Sequence, residues 1–233
     1  MDNFYTILKY FNMPEISCLV YTSVFFDDFI NLKMEFERGL KDYSQHYEIR
    51  YDLFKYRSTV DLKQILKYLN NNNIDYIFTF RSANLHESLK IYNTALDYTP
   101  PIIDVDIGSF HFNRSIFKES NLMLSFHGLN NDDVRLRIEK LSNFTPDIYK
   151  IALLYTDTGK FLKDLAYLYN YKLEKSAKLA YVPMGNNNSF MRIISALTVS
   201  DYAYASYKAT SAPGQIETYK FMSLLNSIRG KYE

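Results

Sequence analysis

The stretch DIYKIALLY, residues 147–155, is an apolar run of strand length with one lysine, Lys150, in its middle. A strand that is covered on both faces reads as a nearly unbroken hydrophobic run. Burying an ammonium group without a partner is costly. Lys150 is therefore either a surface residue or a lysine that is kept inside the fold for chemistry, and the order of the other elements bears on this choice.

Short apolar runs of the same kind recur along the chain. They lie at 16–22, 47–52, 76–81, 102–107, 122–127, 148–155, 179–184 and 202–207. The segments between them, such as 60–71, 87–98, 132–144, 158–170 and 215–228, carry apolar residues three and four positions apart, which indicates amphipathic helices. Eight strand–helix repeats without a linker predict an α/β fold, a single (β/α)8 TIM barrel over residues 1–233. An open doubly wound sheet is the alternative, but the first strand lacks the glycine-rich turn of its dinucleotide-binding form.

The composition of the chain argues against several kinds of binding partner and site. The chain has 233 residues and 47% hydrophobic residues, and its 27 Lys and Arg against 26 Asp and Glu leave a net charge of +1. No long basic block is present, which argues against nucleic acid or an anionic membrane as a partner. The single cysteine, Cys18, excludes an internal disulfide and a Cys-rich zinc site. No run of about 18 apolar residues or signal core is present, so we expect a cytoplasmic protein.

Alternation along the predicted strands separates an apolar face from a polar one. The apolar set fits a coat of helices. The polar set comprises Glu48, Arg50, Asp52, Arg81, Asp104, Asp106, His127 and Lys150. If helices cover the outside, these side chains point into the barrel, whose interior is normally filled by branched apolar residues. We interpret the polar set as an active site, because several strands place charge on the same face near their C-terminal ends, where barrel sites lie.

Each of these residues also has a structural interpretation when it is taken alone. EIRYD is typical of a surface edge strand, and a histidine on an apolar strand, such as His127, is usually structural. As a site, a desolvated lysine near Arg50 and Arg81 would be a neutral amine that condenses with a ketone to form an imine. His127 would be the general base. This chemistry requires no metal and no organic cofactor.

Seven segments together resemble type I 3-dehydroquinate dehydratase, the Schiff-base enzyme of the shikimate pathway. They are EIRYD (48–52), FTFRSA (78–83), IDVDI (103–107), LSFHG (124–128), DIYKIA (147–152), the MG…R segment (184–192) and SAPGQI (211–216). The match runs in order from about residue 46 to the end, whereas residues 1–45 match only in general pattern. The resemblance implies loss of water from 3-dehydroquinate to give 3-dehydroshikimate, and a homodimer.

The resemblance also implies a role for particular residues. Lys150 matches the imine-forming lysine and His127 the general acid and base. Arg192 matches the residue that pairs with the substrate carboxylate. The remaining matches would bind substrate: Glu48, Arg50 and Arg81 at the ring hydroxyls, and Ser211 and Gln215 as the cap in the loop SAPGQ. Neither Arg192 nor that loop was suggested by strand alternation.

Three departures from the family pattern bear on the rate and on the orientation of His127. Leu85 stands where the glutamate that supports the histidine is expected, and Glu87 would substitute only if its loop shifts. In MGNNNSFMR, Asn188 replaces a glycine, which a left-handed backbone would accommodate, and Met191 replaces a serine. A glycine–serine pair before the last strand reads as residues 200–201, Ser-Asp.

Two further functions remain open from the sequence. A class I aldolase would use the same imine chemistry, although aldolases of this architecture usually need a phosphate pocket. A barrel that binds a dehydroquinate-like ligand without turnover is the other alternative, and Leu85 and the altered MG segment favour it.

Overall fold

The computed structural model describes residues 17–108, 114–117, 120–185 and 188–229. Its strands are β1 (Leu19–Val24), β2 (His46–Arg50), β3 (Asp75–Thr79), β4 (Ile102–Asp106), β5 (Leu122–Leu129), β6 (Ile148–Leu154), β7 (Leu179–Met184) and β8 (Tyr202–Ser206). Its α-helices are α1 (Phe29–Glu35), α2 (Lys41–Tyr43), α3 (Thr59–Asn71), α4 (Leu85–Leu96), α5 (Val134–Ser142), α6 (Thr158–Lys175), α7 (Ser189–Thr198) and α8 (Thr218–Arg229). A π-helix covers Phe36–Leu40, and short 3-10 helices cover Tyr51–Leu53 and Arg114–Phe117.

The strands of the described residues form one parallel sheet in the order β7-β6-β5-β4-β3-β2-β1-β8. The sheet curls until β7 and β8 are neighbours, and the backbone N–H of Asp201 donates to the carbonyl of Leu179 across this seam at 2.7 Å. The predicted (β/α)8 barrel is therefore confirmed. The doubly wound alternative is wrong, because β1 pairs with both β2 and β8.

Helix caps explain where several of the helices begin. Ser58, Asp133 and Asp157 are the N-cap residues of α3, α5 and α6, and each side chain accepts a hydrogen bond from a backbone N–H of the first turn. The five predicted helical segments correspond to α3, α4, α5, α6 and α8. The helices α1, α2 and α7 lie outside those five segments.

The two faces of the strands separate as predicted. Ile49, Phe78, Ile103, Leu124 and Ile151 are buried in a large cluster between the sheet and the helices. A second cluster fills the N-terminal half of the barrel interior with Tyr21, Ile77, Ile102, Met123, Ile148, Tyr202 and other apolar residues. Above this layer the interior side chains become polar, which positions the site at the C-terminal ends of the strands.

Seven of the eight strands differ from the predicted bounds by one to three residues, and β3 ends at Thr79, two residues before Arg81. β1 starts at Leu19 and runs on to Val24, because its pairing with β2 continues to Ser23 and Val24; residue 16 lies outside the described residues. Cys18 is buried just before this strand. β2 ends at Arg50, where the chain turns into a 3-10 helix. Alternation therefore stops there, and Asp52 is not the next inward residue of the strand as predicted.

Candidate active site

Lys150 lies inside the barrel, with 3% of its surface exposed. Its Nζ donates to Oδ2 of Asp104 at 2.7 Å and to Oε1 of Glu48 at 3.3 Å. The same nitrogen lies 3.9 Å from the centre of the Tyr204 ring. Lys150 is thus an interior residue rather than a surface one, and it has three electron-rich neighbours.

The charged neighbours of Lys150 differ from those expected. We predicted an amine close to Arg50 and Arg81, but the contacts of its Nζ are with two carboxylates. Burial opposes ionisation of Glu48 and Asp104, yet the Lys150 charge, together with nearby arginines, holds the pKa of both carboxyls below the usual range. The interior of the site is therefore an ion-pair network, and the arginines form its outer part.

Glu48 is connected to the loop over the site through a chain of hydrogen bonds. The Ser23 hydroxyl donates to Oε2 of Glu48 at 2.5 Å, and Nε2 of Gln215 donates to the Ser23 oxygen at 2.9 Å. Oε1 of Gln215 accepts from the backbone N–H and the hydroxyl of Ser211, at 2.8 and 3.1 Å. A chain of hydrogen bonds thus connects the loop residues Ser211 and Gln215 to Glu48, which contacts Lys150.

Arg192 extends from α7 into the same cavity and is 4% exposed. Its Nη2 donates to the carbonyl of Pro213 at 3.0 Å, and its Nε is buried without a partner. Among the described residues, no carboxylate forms an ion pair with it. Burial lowers the pKa of Arg192 to about 10, although the charge of Glu48 partly opposes this. A buried, uncompensated guanidinium is the feature expected of a site for an anion.

Arg50 and Arg81 are placed differently from each other. Arg50 donates two hydrogen bonds to Asp52, from Nε to Oδ1 at 3.0 Å and from Nη2 to Oδ2 at 2.7 Å. One edge of its guanidinium is therefore occupied. The side chain of Arg81 is one-quarter exposed, and its Nη2 lies 3.6 Å from Oδ2 of Asp104. Its Nε is buried and has no hydrogen-bond partner among the described residues. Both line the cavity together with Lys150.

His127, near the end of β5, faces Asp106 of the adjacent strand β4. Its Nδ1 lies 2.5 Å from Oδ2 of Asp106. Burial and the charge of Arg81 lower the pKa of His127, although Asp106 opposes this. The imidazole is therefore neutral at neutral pH, which is the form that a general base needs.

A pair of glycines brings the loop at 211–216 close to the end of β7. Gly185 and Gly214 have φ values of 129° and 73°, in the region that favours glycine. A Cβ on Gly214 would collide with the carbonyl oxygen of Gly185. The backbone N–H of Gly185 in turn donates to the carbonyl of Pro213 at 3.3 Å. This close approach covers the cavity with Ser211 and Ala212.

Comparisons with known proteins identify the family of this chain. The family model described as "Type I 3-dehydroquinase" matches residues 20–232. A 3-dehydroquinate dehydratase of Thermoplasma volcanium is 33% identical over 213 residues, which are 90% of each chain. That of Thermoplasma acidophilum is 28% identical over 200 residues, 84% of each chain.

The chain belongs to the type I 3-dehydroquinase family. A solved 3-dehydroquinate dehydratase of Geobacillus kaustophilus shares the fold with a TM-score of 0.79, at 18% identity over 93% of each chain. The predicted resemblance is confirmed, and so is the assignment to a lyase family.

The departures from the dehydroquinase pattern have structural explanations that the sequence did not indicate. Asn188 has a φ of −109°, so its backbone is outside the left-handed region and does not require a glycine. Its Nδ2 donates to the carbonyls of Tyr155 and Met184, at 2.6 and 3.1 Å. Met191 is buried in the main core. Ser200 and Asp201 precede β8 at the opposite end of the barrel, where Asp201 pairs with Lys172.

Several residues of the candidate site were missed, or were recognised without their contacts. Asp104 and Asp106 were recognised on the polar face as carboxylates that would help to bind the substrate, but their contacts with Lys150 and His127 were not predicted. Ser23 and Tyr204 carried no signal, because a serine in an apolar run and a tyrosine in a Tyr-rich chain are common. Their roles depend on which strands become neighbours when the barrel closes.

The described residues contain no group of three or more His, Cys, Asp or Glu side chains arranged to hold a metal ion. In the same part of the chain, no helix is long and apolar enough to cross a membrane.

Proposed function

We propose that this chain is a 3-dehydroquinate dehydratase that acts through an imine on Lys150, in the shikimate pathway. The observation that carries the proposal is that one cavity is lined by the buried Lys150 and by the buried Arg192, which has no carboxylate counter-ion among the described residues. The lysine is the group that condenses with the ketone of a keto acid. The arginine is the group that binds its carboxylate.

In the first stage, Lys150 passes one proton to a neighbouring base, and the resulting amine adds to the substrate ketone. The carbinolamine oxygen then takes that proton and one from the nitrogen and leaves as water, which gives a protonated imine. The positive charge of this imine lies where the ammonium charge was, beside Asp104 and Glu48 and over the Tyr204 ring. These groups therefore stabilise the intermediate without rearrangement, which is the main advantage of a preorganised site.

In the second stage, the neutral His127 removes a proton from the carbon next to the imine carbon, and the C–H electron pair forms an enamine. The C–O bond at the following carbon then breaks, and His127 returns its proton to the departing hydroxyl, which leaves as water. Water hydrolyses the resulting conjugated imine and releases 3-dehydroshikimate and the free Lys150 amine. The overall change is the loss of one water molecule.

The residues around Lys150 and His127 orient the substrate. Arg192 pairs with the substrate carboxylate, while Arg81 and Arg50 lie near the ring hydroxyls. Gln215 and Ser211 cap the bound molecule and connect it to Glu48 through Ser23. A buried polar cap of this kind excludes bulk water and strengthens the electrostatic contacts inside.

The test follows absorbance of the conjugated enone after 3-dehydroquinate is added to purified protein in EDTA. We expect a rise that Lys150→Ala lowers by about 10⁴-fold or more, whereas Lys33→Ala, at a half-exposed lysine on α1, leaves it unchanged. Saturable ligand binding without an absorbance rise would instead favour the binding protein without turnover.

The predicted homodimer and the cytoplasmic location remain predictions; light scattering of the purified protein tests the first.

A further inference from the structure

We propose that Asp106 is the positioning residue of His127 in this chain and supplies the support that the family pattern assigns to a glutamate at the position of Leu85. This inference rests on the proposed function for its catalytic meaning. Its structural content, the tautomer and orientation of one imidazole, is testable without turnover.

Position within the sheet brings the two side chains together. Asp106, the last residue of β4, is opposite Ser125 in the register with β5, and His127 lies two residues further along the same inward face. Diagonal neighbours on one face of a sheet are within reach of long side chains. The observed distance from Nδ1 to Oδ2 is 2.5 Å. Both partners are mostly withdrawn from solvent, with 21% and 12% of the His127 and Asp106 side chains exposed.

The carboxylate itself is held in place from its other side. The backbone N–H of Gly108 donates to Oδ1 of Asp106 at 2.7 Å. Burial raises the pKa of Asp106, but the hydrogen bonds from His127 and Gly108 bring it below the usual range. An ionised carboxylate can only accept, so the proton of the neutral imidazole is on Nδ1. The other nitrogen, Nε2, is then unprotonated and available as the base.

Of the two residues that were considered for this role, the side chain of Leu85 is not able to accept a hydrogen bond and Glu87 is engaged elsewhere. Leu85 is the first residue of α4, has no acceptor and is 42% exposed. Glu87 was expected to substitute only if its loop shifts, but its Oε2 accepts from the Ser82 hydroxyl at 2.6 Å. Asp106 is therefore the carboxylate in contact with the ring.

Among the described residues, the charged groups that act on His127 include Asp106 and Asp104 from β4, Arg81 from just beyond the end of β3 and Lys150 from β6. Arg81 and Lys150 lower the pKa of the imidazole, while Asp106 raises it. An amide in place of the carboxylate removes the raising contribution, so the pKa of His127 falls. The side-chain amide introduced by Asp106→Asn would also be able to donate to Nδ1, which would move the ring proton to Nε2.

The experiment compares Asp106→Asn with the unaltered protein in kcat, KM and the pH profile of kcat/KM. We expect kcat to fall by about 100-fold or more, KM to change little, and the acid limb of the profile to move to lower pH. Borohydride trapping of the Lys150 imine should persist, because Asp106 acts on the proton-transfer step. A kcat within about threefold of the unaltered protein with an unmoved acid limb would overturn the proposal.

A matched control is available at the opposite end of the barrel. His46 Nδ1 lies 2.6 Å from Oδ2 of Asp75, so Asp75→Asn removes the carboxylate of a second His–Asp pair outside the site. We expect it to leave kcat and the pH profile unchanged, as Glu87→Gln should. Equal loss of kcat in Asp75→Asn would mean that general destabilisation explains the effect, and the role of Asp106 would be rejected.

NMR separates a failure of this inference from a failure of the proposed function. Long-range ¹H–¹⁵N spectra report the tautomer of each of the four histidines, with His127 assigned through His127→Gln. We expect a proton on Nδ1 of His127, lost or moved to Nε2 in Asp106→Asn. An unchanged His127 signal in that variant would overturn the proposal even if the enzyme is active. A protein that makes no enone but shows the shift would reject the dehydratase and retain the positioning role.

Discussion

Nζ of Lys150 lies 2.7 Å from Oδ2 of Asp104, two strands away in the barrel wall, and both side chains are almost completely buried. A buried charge without its partner is strongly destabilising. The pair therefore contributes both to the fold, since it neutralises an interior ammonium, and to the chemistry, since the same carboxylate faces a protonated imine.

Replacement of Asp104 by asparagine should therefore lower stability. It leaves Lys150 with one carboxylate, Glu48, and we expect the free energy of unfolding to fall by about 3 kcal/mol or more at neutral pH. Urea denaturation measures this value. The control Asp27→Asn breaks an exposed pair with Lys55 at 4.0 Å, and we expect a loss below about 1 kcal/mol. Equal losses in the two variants would contradict the account.

The stability difference between Asp104→Asn and the unaltered protein should also depend on pH. The folded pKa of Asp104 is below its unfolded value, since burial, which raises it, is outweighed by the combined effects of Lys150, Arg81 and His127. Its contribution is then fully present above about pH 4, the ordinary value, and is lost as pH falls through the folded pKa. We expect the difference to be constant from about pH 5 to 7 and to shrink below about pH 4. A stability difference that increases as the pH falls would show that folding raises the pKa of Asp104 rather than lowering it.

Arg192→Met should separate stability from binding. The buried guanidinium has no carboxylate partner in the part of the chain that the structure describes, so its removal should raise the free energy of unfolding by about 1–3 kcal/mol. Loss of the contact with the substrate carboxylate should raise KM by about 100-fold. Denaturation and steady-state kinetics measure the two effects. Arg135→Met, at an exposed arginine, should change neither. A variant that is less stable and binds normally would show that Arg192 is structural.

Gly214→Ala tests the contact between the loop at 211–216 and the end of β7. The new Cβ would collide with the Gly185 carbonyl oxygen, which should displace Ser211 and Gln215 and lower kcat/KM by about 10- to 100-fold. Gly39→Ala is the matched control, because Gly39 has a φ of 120° but its Cβ would meet nothing closer than 3.7 Å. Gly39→Ala introduces strain at a positive φ but no collision of the new Cβ, so we expect this variant to leave kcat/KM unchanged. A similar decrease in both variants would reject the contact.

Ser23→Ala tests the hydrogen-bond chain from the loop to Glu48. The substitution leaves Oε2 of Glu48 without its hydroxyl donor and Gln215 without one acceptor, so we expect a stability loss of about 1–3 kcal/mol and a decrease in kcat/KM of about 10-fold. Thr22→Val removes a buried hydroxyl that contacts Thr218 at 2.9 Å on the other face of the same strand. It should lose similar stability and keep its kcat/KM; a decrease there would contradict a role specific to Ser23.

Strand alternation predicted which side chains enter the barrel, because the two-residue period does not depend on the rest of the fold. Lys150 and His127 were found in this way. The partners of these residues were not predictable in the same way. Whether Lys150 lies nearer to Asp104 or to Arg81 depends on strand register and on rotamers, which are tertiary properties.

Arg192 and the loop at 211–216 show a second limit. Arg192 lies on a helix, so no strand pattern indicates that it reaches the barrel interior, and the resemblance to a family was needed to select it. The support of His127 shows a third limit. The family pattern directed attention to residues 85–87, whereas the contact is made by Asp106, two residues beyond Asp104 on the same face of β4.

The most direct test of the central claim is borohydride trapping followed by peptide mass spectrometry. Reduction during turnover of 3-dehydroquinate should attach the reduced substrate or product skeleton to the peptide that contains Lys150. No adduct should form without substrate or in Lys150→Ala. Turnover without an adduct at Lys150, or product formation by Lys150→Ala at the normal rate, would contradict the imine mechanism.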